Sequence, residues 1–508
     1  VTQIKTVGVV GVGAMGKGIV QIAAQAGFDV MMFDQRTEAV QAAKVDIAKV
    51  WDSLVAKGRM TESAARESVE NLHVAQSLSE LARCDVVVEA IIERLDIKQS
   101  LFKELEGVVS ESCVLVTNTS SLSVTAIASG CTHPQRVAGF HFFNPVPLMK
   151  LVEVIDGTRG DPAVGDVLME FARQMGHTPV RCKDMPGFIV NHAGRGLGTE
   201  GFRVVQEQVT DYETVDRVMR EQCGFRMGPF ELMDLTGLDV SHFVMESIYQ
   251  QFYDETRFRP SPLGAVRVAA GLYGRKSGGG FYQYANGKKL ESELDPVPAF
   301  DSLPSVWVSP EHPHGHSIAT AWLRQLGAAI QTGNHPDKDS LIVVTPYGED
   351  VATAIAEQSL DPERTIGLDT FGAMSPQRHR TLMVAMTTSP HWRDVAHAIF
   401  SMDQVQVSII QDSPGFIGQR IQAMIVNIAC EIAQQGIATP ADIDRAVKLG
   451  LNYPAGPLSL GDSLGTSRVL EILENMQTVT GDMRYRPSLW LRRRVLLERS
   501  LLESPATV

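Results

Sequence analysis

The sequence predicts an α/β protein: a doubly wound parallel sheet followed by an all-α domain, then a degenerate, shortened copy of both. Three observations predict it. A β-branched stretch, "IKTVGVV" (4–10), runs into the glycine-rich turn "GVGAMGKGI" and then into the helical pattern "VQIAAQAG". Further short apolar stretches, "DVMMFD", "DVVVEAI" (85–91) and "CVLVTN" (113–118), are separated by helical or polar sequence, as a parallel sheet with crossover helices requires. Segments of the second half also repeat segments of the first at a constant offset of 228 positions.

At 508 residues and 44% hydrophobic content the chain can fill two to four compact units. A net charge of −13 spread along it argues against a nucleic-acid surface, which needs clustered Lys and Arg. The six cysteines show no C-x-x-C spacing, and "VTQIKTVGVVGVG" enters a strand without a signal-like apolar core, so a cytoplasmic location is expected. No run of eighteen apolar residues is free of charge, so no membrane span is expected.

The first domain, expected at 1–185, reads as a Rossmann-type nucleotide fold. Gly11 permits the tight turn, Gly13 lets the backbone approach a pyrophosphate and Gly16 lets helix and strand pack closely. Val12, Ala14 and Met15 complete the loop, at whose end a helix N-terminus offers free N–H groups to phosphate. Asp34 follows Gly16 by 18 positions, near the spacing of a ribose-binding acid. Its charge would repel a 2′-phosphate, which selects NAD over NADP, although Arg36 stands close by. Glu89, Glu93, Lys98, Asn118 and Ser120 lie at or after later strand ends, where ligands gather in such folds; singly, each also suits a helix cap or a solvated surface.

The stretch "GFHFFNPVPLMKLVEVI" (139–155) places His141 and Glu153 in an apolar run. Two strands joined by "NPVPLMK" would bring them together, as a satisfied core hydrogen bond or as a reaction centre. The helical domain, expected at 186–284, begins at "DMPGFIVN": Pro186 suits a first helical turn and Asn191 sits one turn in, where asparagine is a poor helix former. It closes with "GRKSGGGFYQY", which carries Lys276, and the charge- and proline-rich residues 285–304 read as a linker.

In the repeat, "VTNTSSLSVTAIA" (116–128) aligns with "VTPYGEDVATAIA" (344–356), "PQRVAGFHFF" with "PERTIGLDTF", and "KDMPGFIVN" with "QDSPGFIGQ". His141 becomes Asp369, Ser120 becomes Gly348, Asn144 becomes Gly372 and Asn191 becomes Gln419. Turn and packing residues are kept while polar ones are lost, the pattern of a scaffold without a reaction. Residues 305–411 are expected to be a degenerate Rossmann-like remnant, with "PEHPHGH" standing where the glycine loop would be, and 412–508 a second, inactive helical domain. His312, His314 and His316 alternate in that loop, but no Cys or carboxylate cluster at ligand spacing accompanies them, so no metal is assigned.

The motifs "GVGAMGKGI", "EAIIERLDIK", "NTSSLSVTAIA", "HFFNPVPLMKLVEVI", "KDMPGFIVN" and "GPFELMDLTGLD", in that order over residues 1–285, closely resemble the L-3-hydroxyacyl-CoA dehydrogenase family. The resemblance implies NAD-dependent oxidation of a 3-hydroxyacyl-CoA to the 3-ketoacyl-CoA. It implies His141 as catalytic base with Glu153 as partner, and Ser120 and Asn191 holding the reacting oxygens. It further implies Glu93, Lys98, Ser120, Asn144 and Lys276 beside NAD, and Lys57 at the coenzyme A phosphates. Loss of hydride from a secondary alcohol needs a base for the hydroxyl proton, and an imidazole suits neutral pH. Long two-copy members resemble both 3-hydroxybutyryl-CoA and 3-hydroxyadipyl-CoA enzymes, of fatty-acid β-oxidation or aromatic-acid catabolism. Shorter members pair through their helical domains, which implies an internal pseudo-dimer here and leaves a further homo-oligomer open. The alternatives are a dehydrogenase of a free hydroxy or sugar acid and, for the second half alone, a non-enzymatic scaffold.

Overall fold

Residues 4–290, 296–372 and 378–504 are described by a computed structural model. The chain forms two units, residues 1–192 with 435–451 and residues 193–434 with 452–508.

The first unit is built on eight strands: β1 (Thr6–Val10), β2 (Asp29–Phe33), β3 (Leu72–Val74), β4 (Val86–Glu89), β5 (Val114–Thr117), β6 (Val137–Phe142), β7 (Leu151–Asp156) and β8 (Thr178–Lys183). Their order is β3-β2-β1-β4-β5-β6-β7-β8, parallel throughout except for the antiparallel pair β6–β7. The Val-rich strands are apolar on both faces because each face is covered. Val40, Ile47, Trp51, Leu168 and Phe171 pack on one side, and Phe102, Leu105 and Ile127 on the other. The order reverses between β1 and β4, so their carboxyl ends open the crevice where ligands bind in such sheets.

One element of this unit comes from far along the chain. The helix Pro440–Gly450 packs on β7 and β8, and Lys183 N–H donates to the Ile437 carbonyl at 2.9 Å. The sequence expectation of a single domain over 412–508 had no way to register this. Helical periodicity reports which face is apolar, not which sheet covers it.

In the second unit the stretch expected as linker opens with a hairpin, β9 (Tyr284–Ala285) and β10 (Lys288–Lys289), turning on Asn286 and Gly287 at φ 52° and 73°. Residues 291–295 of that stretch lie outside the described residues. A five-stranded sheet follows: β11 (Val306–Val308), β12 (Leu341–Val344), β13 (Thr365–Leu368), β14 (Arg380–Val384) and β15 (Val407–Gln411), in that order, with β13–β14 antiparallel. By the offset, β12 to β15 are the counterparts of β5 to β8. Beside β12, β11 holds the place of β4, and counterparts of β1 to β3 are absent among the described residues of this sheet. This corrects the expectation for "PEHPHGH": the loop stands after the β4 counterpart, not at the glycine turn. Among the described residues, this sheet has no half that would carry that turn and the ribose acid. The three histidines of the loop go to separate partners, His312 to Glu349 at 3.9 Å, His314 to Arg468 at 3.0 Å and His316 to the Ser309 carbonyl at 3.2 Å.

The two helical copies meet within this unit. The helix Arg195–Gln206 lies along the helix Ile417–Gln434, and a Cβ at Gly196 would come within 2.8 Å of Ile425 Cα, so the backbones touch where glycine allows it. Arg420 donates to buried Glu200 at 2.8 Å across the pair. No described helix is long and apolar enough to cross a membrane.

Candidate active site

The antiparallel register of β6 and β7 makes His141 and Glu153 direct partners. Cross-strand neighbours point to the same face, and His141 Nδ1 donates to Glu153 Oε2 at 2.7 Å with both side chains buried. The other carboxylate oxygen, Oε1, accepts the N–H groups of Ile189 and Val190, each at 2.9 Å. Burying a carboxylate is costly unless it is fully hydrogen-bonded. Here two backbone donors and the imidazole meet that need, which fixes the ring and leaves Nε2 as the nitrogen able to take a proton. Phe143 and Phe188 stand beside the ring, at 4.5 and 5.8 Å between centroids, and keep the local dielectric low.

The two N–H donors exist because the chain turns before its helix. Gly187 and Phe188 have φ of 75° and 49°, and the helix starts only at Val190. Pro186 therefore lies in the turn and not in a first helical turn as its sequence suggested, and Asn191 is the second helical residue. Asn191 Nδ2 lies 3.5 Å from the Ser120 carbonyl, so the two residues expected to hold the reacting oxygens are neighbours.

Ser120 follows β5 and belongs to a second polar cluster. Lys98, 1% exposed, pairs with Glu89 at 2.5 Å and with Glu93 at 3.1 Å. Thr117 donates to Glu89 at 2.7 Å, while Glu93 accepts from the Thr119 hydroxyl at 2.6 Å and from the N–H groups of Ser120 and Ser121. Burial opposes the Glu93 charge, yet Lys98, Thr119 and Ser121 outweigh it and hold the carboxyl below its ordinary value. The sequence pointed to Glu89, Glu93 and Lys98. It gave no role to Thr117, Thr119 or Ser121, although the last two lie in the quoted "NTSSLS" run, and backbone donors such as Ile189 carry no side-chain signal.

At the other end of the crevice, a Cβ at Gly16 would fall 1.8 Å from the Gly11 carbonyl oxygen, and Gly11 itself has φ 93°. A Cβ at Gly13 would meet nothing within 4 Å beyond its own chain neighbours, so a phosphate has room against the backbone at the start of the helix Ala14–Gln25. Asp34, just past β2, accepts from Val12 N–H at 3.2 Å and from Arg36 N–H at 3.1 Å, which places the acid at the glycine turn. The open cradle and the acid fit NAD.

Three further expected site residues are placed by other elements. Asn144 is a wall of a cleft of about 530 Å³ between the helices Ala14–Gln25 and Thr37–Ala56 and the loop 144–150, together with Lys17, Val50, Leu148 and Lys150. Lys57 caps the Thr37–Ala56 helix and is exposed, outside the cleft wall. Lys276 belongs to the second unit, where it pairs with Asp239 at 2.6 Å.

A doubly wound sheet with a glycine cradle, a ribose acid and a buried His–Glu pair defines an NAD-binding dehydrogenase. The 3-hydroxyacyl-CoA dehydrogenase NAD-binding domain model matches residues 6–185, and the C-terminal domain model of the same family matches twice, at 187–284 and 415–505. The chain belongs to the 3-hydroxyacyl-CoA dehydrogenase family and is an NAD-dependent oxidoreductase of 3-hydroxyacyl-CoA. It is 36% identical over 98% of both chains to the 3-hydroxyadipyl-CoA dehydrogenase of Escherichia coli K12. It is 42% identical to a probable 3-hydroxybutyryl-CoA dehydrogenase of Deinococcus radiodurans, a match covering 54% of this chain and 99% of the relative. Among solved structures, a 3-hydroxybutyryl-CoA dehydrogenase from Escherichia coli K12 superposes with a TM-score of 0.86 at 35% identity, covering 98% of this chain and 99% of that one.

Proposed function

We propose that His141 is the general base of this oxidation, oriented by Glu153, with the Ser120 hydroxyl and the Asn191 amide holding the substrate oxygen. The 2.7 Å contact between His141 Nδ1 and Glu153 Oε2 carries the reading. When bound, NAD supplies the hydride acceptor. The chain's own tasks are to hold the hydroxyl at His141 Nε2, to take its proton as the carbonyl forms, and to stabilise the resulting imidazolium through Glu153. Glu93, which accepts the Ser120 N–H and is paired with Lys98, sets that residue's position at the crevice, and Asp34 selects NAD. The cleft beside Asn144, with Lys17 and Lys150 in its wall, suits an anionic acyl-CoA.

The substrate we propose is a short dicarboxylic 3-hydroxyacyl-CoA such as the hydroxyadipyl thioester, supported by the name of the relative that matches over 98% of both chains. NADH formation from 3-hydroxybutyryl, long-chain and 3-hydroxyadipyl CoA esters tests this: the highest kcat/KM belongs to the dicarboxylic ester, and a preference for the butyryl ester rejects it. Equal rates with a thioester and its free acid would support a free hydroxy-acid enzyme instead.

We also propose that the halves form an internal pseudo-dimer in a chain located in the cytoplasm. Reciprocal bonds support the pairing: Lys183 N–H to Ile437 O in the first unit and Gln411 N–H to Val209 O in the second, both 2.9 Å, with each residue of one pair 228 positions from a residue of the other. Exchange of equivalent contacts is the mark of a two-fold interface. One NAD bound per chain in a titration agrees with a single live copy; two equivalent sites would reject it.

A further inference from the structure

The copies do more than brace one another, because the element each lends to the other's sheet ends at a position of matched number and opposite character. In the first unit this is Gly450, the last residue of the helix Pro440–Gly450. In the second it is Gln222, 228 positions earlier.

Gln222 shows what a side chain does there. Its Oε1 accepts from the Thr381 hydroxyl at 2.6 Å and its Nε2 donates to Asp369 Oδ2 at 2.7 Å. Asp369 and Thr381 are the counterparts of His141 and Glu153. The glutamine thus runs to the place of the reacting pair and fills it, and Gln419 completes the plug by donating to Asp369 Oδ1 at 3.1 Å.

Gly450 has no such reach, and its surroundings leave no space for one. A Cβ there would meet Val190 Cγ1 at 2.9 Å, Val190 Cγ2 at 3.0 Å and Leu151 Cδ2 at 3.0 Å. Val190 gives its N–H to Glu153 Oε1, and Leu151 opens the strand that carries Glu153. Glycine also weakens a helix relative to alanine, and Gly450 is not among the glycines of positive φ, so close approach is the reason for it.

We infer that Gly450, a residue of the inactive copy, is a positioning residue of the live site: its bare Cα leaves Val190 where its N–H holds Glu153 against His141. The inference rests on the proposed roles of His141 and Glu153. A side chain at 450 moves Val190, loosens Glu153 and costs the rate of the chemical step, while the NAD cradle at Gly13 and Asp34 is untouched.

The experiment uses the full chain with Gly450→Ala, Gly450→Gln, Gly450→Ala combined with Val190→Ala, and Gln222→Gly as control. Readouts are kcat, KM for NAD and thioester, the NADH dissociation constant by fluorescence, and the thermal unfolding midpoint. Small misplacements of reacting groups cost large factors in rate, so Gly450→Ala should lower kcat about tenfold and Gly450→Gln about 10²-fold. KM for NAD and NADH binding should stay unchanged. Val190→Ala, which removes two of the three methyls in the way and leaves only Leu151 Cδ2, should restore most of the rate to Gly450→Ala, and Gln222→Gly should keep the full rate. Unchanged kcat in both Gly450 variants overturns the inference. So does a loss that follows the folded fraction and is not restored by Val190→Ala, or an equal loss in Gln222→Gly. His141→Ala retaining full activity would instead overturn the reading on which the inference rests.

Discussion

The pairings of β6 with β7 and of β7 with β8 recur in the same register in the second copy, as β13 with β14 and β14 with β15, and the two copies differ in the side chains that stand where β6 meets β7. In the first, His141 and Glu153 form a charged-capable pair held by two backbone N–H groups. In the second, Asp369 is held by Gln222, Gln419 and the Phe371 N–H, and Thr381 replaces the glutamate. A buried polar pocket needs its hydrogen bonds satisfied whatever its role, and in the second copy amides from the neighbouring elements satisfy them. The two copies also differ in what stands opposite the crevice: β1 to β3 carry the glycine cradle and Asp34 in one, and the other sheet has no counterpart of them among the described residues.

The largest effect expected from breaking this comparison is at the base. His141→Ala should lower kcat by about 10³-fold, measured as NADH formation under saturation, with NADH binding retained. Asp369→Ala should leave kcat unchanged, since its sheet has no counterpart of the cofactor half among the described residues.

Glu153→Gln keeps the shape and removes the charge that stabilises the imidazolium. A loss of about 10²-fold in kcat is expected, with KM for NAD unchanged, and a loss seen equally in NADH affinity would place Glu153 in folding and not in the chemical step. Asp34→Asn should act on binding only. Losing a charged hydrogen bond to ribose raises KM for NAD about tenfold and narrows the preference for NAD over NADP, both read from initial rates.

The smallest effect concerns stability in the inactive copy. Burial pushes the Asp369 carboxyl up to about 6 from an ordinary 3.8, against the opposing donors Phe371, Gln419 and Gln222. Between those values the folded chain holds a proton that the unfolded chain has released, so this residue's contribution to stability falls as pH rises through that window and stays low above it. Asp369→Asn removes that dependence. The unfolding free energy of the variant relative to the parent, from urea melts at pH 4 and pH 7, should therefore increase by roughly 2 kcal/mol. A difference independent of pH would mean that the carboxyl ionises in the folded state as it does in the unfolded one.

Much of this was legible from the chain alone where local pattern and spacing coincide. "GVGAMGKGI" between a strand and a helix, with Asp34 at the right remove, specifies a nucleotide turn because glycine geometry is local. "HFFNPVPLMKLVEVI" pairs His141 with Glu153 because a short connection between two adjacent strands fixes their register. Less legible were residues whose meaning depends on distant chain. Thr117 and Thr119 read as ordinary strand-end residues until their carboxylate partners are in place. The histidine loop 310–316 could be assigned to the glycine turn only while the place of β11 in its sheet was unknown.

By itself the sequence determined the reaction class, the NAD-binding half, the pairing of His141 with Glu153 and the duplication with its changed polar residues, because each is written in residue type at short or constant spacing. The tertiary structure alone decided which half-sheet the second copy lost, and which backbone groups hold Glu153. It alone decided that the helix ending at Gly450 belongs with β7 and β8. Those facts depend on contacts between segments from tens to hundreds of residues apart, whose pairing follows from complementary packing of whole faces and is not encoded in either segment alone.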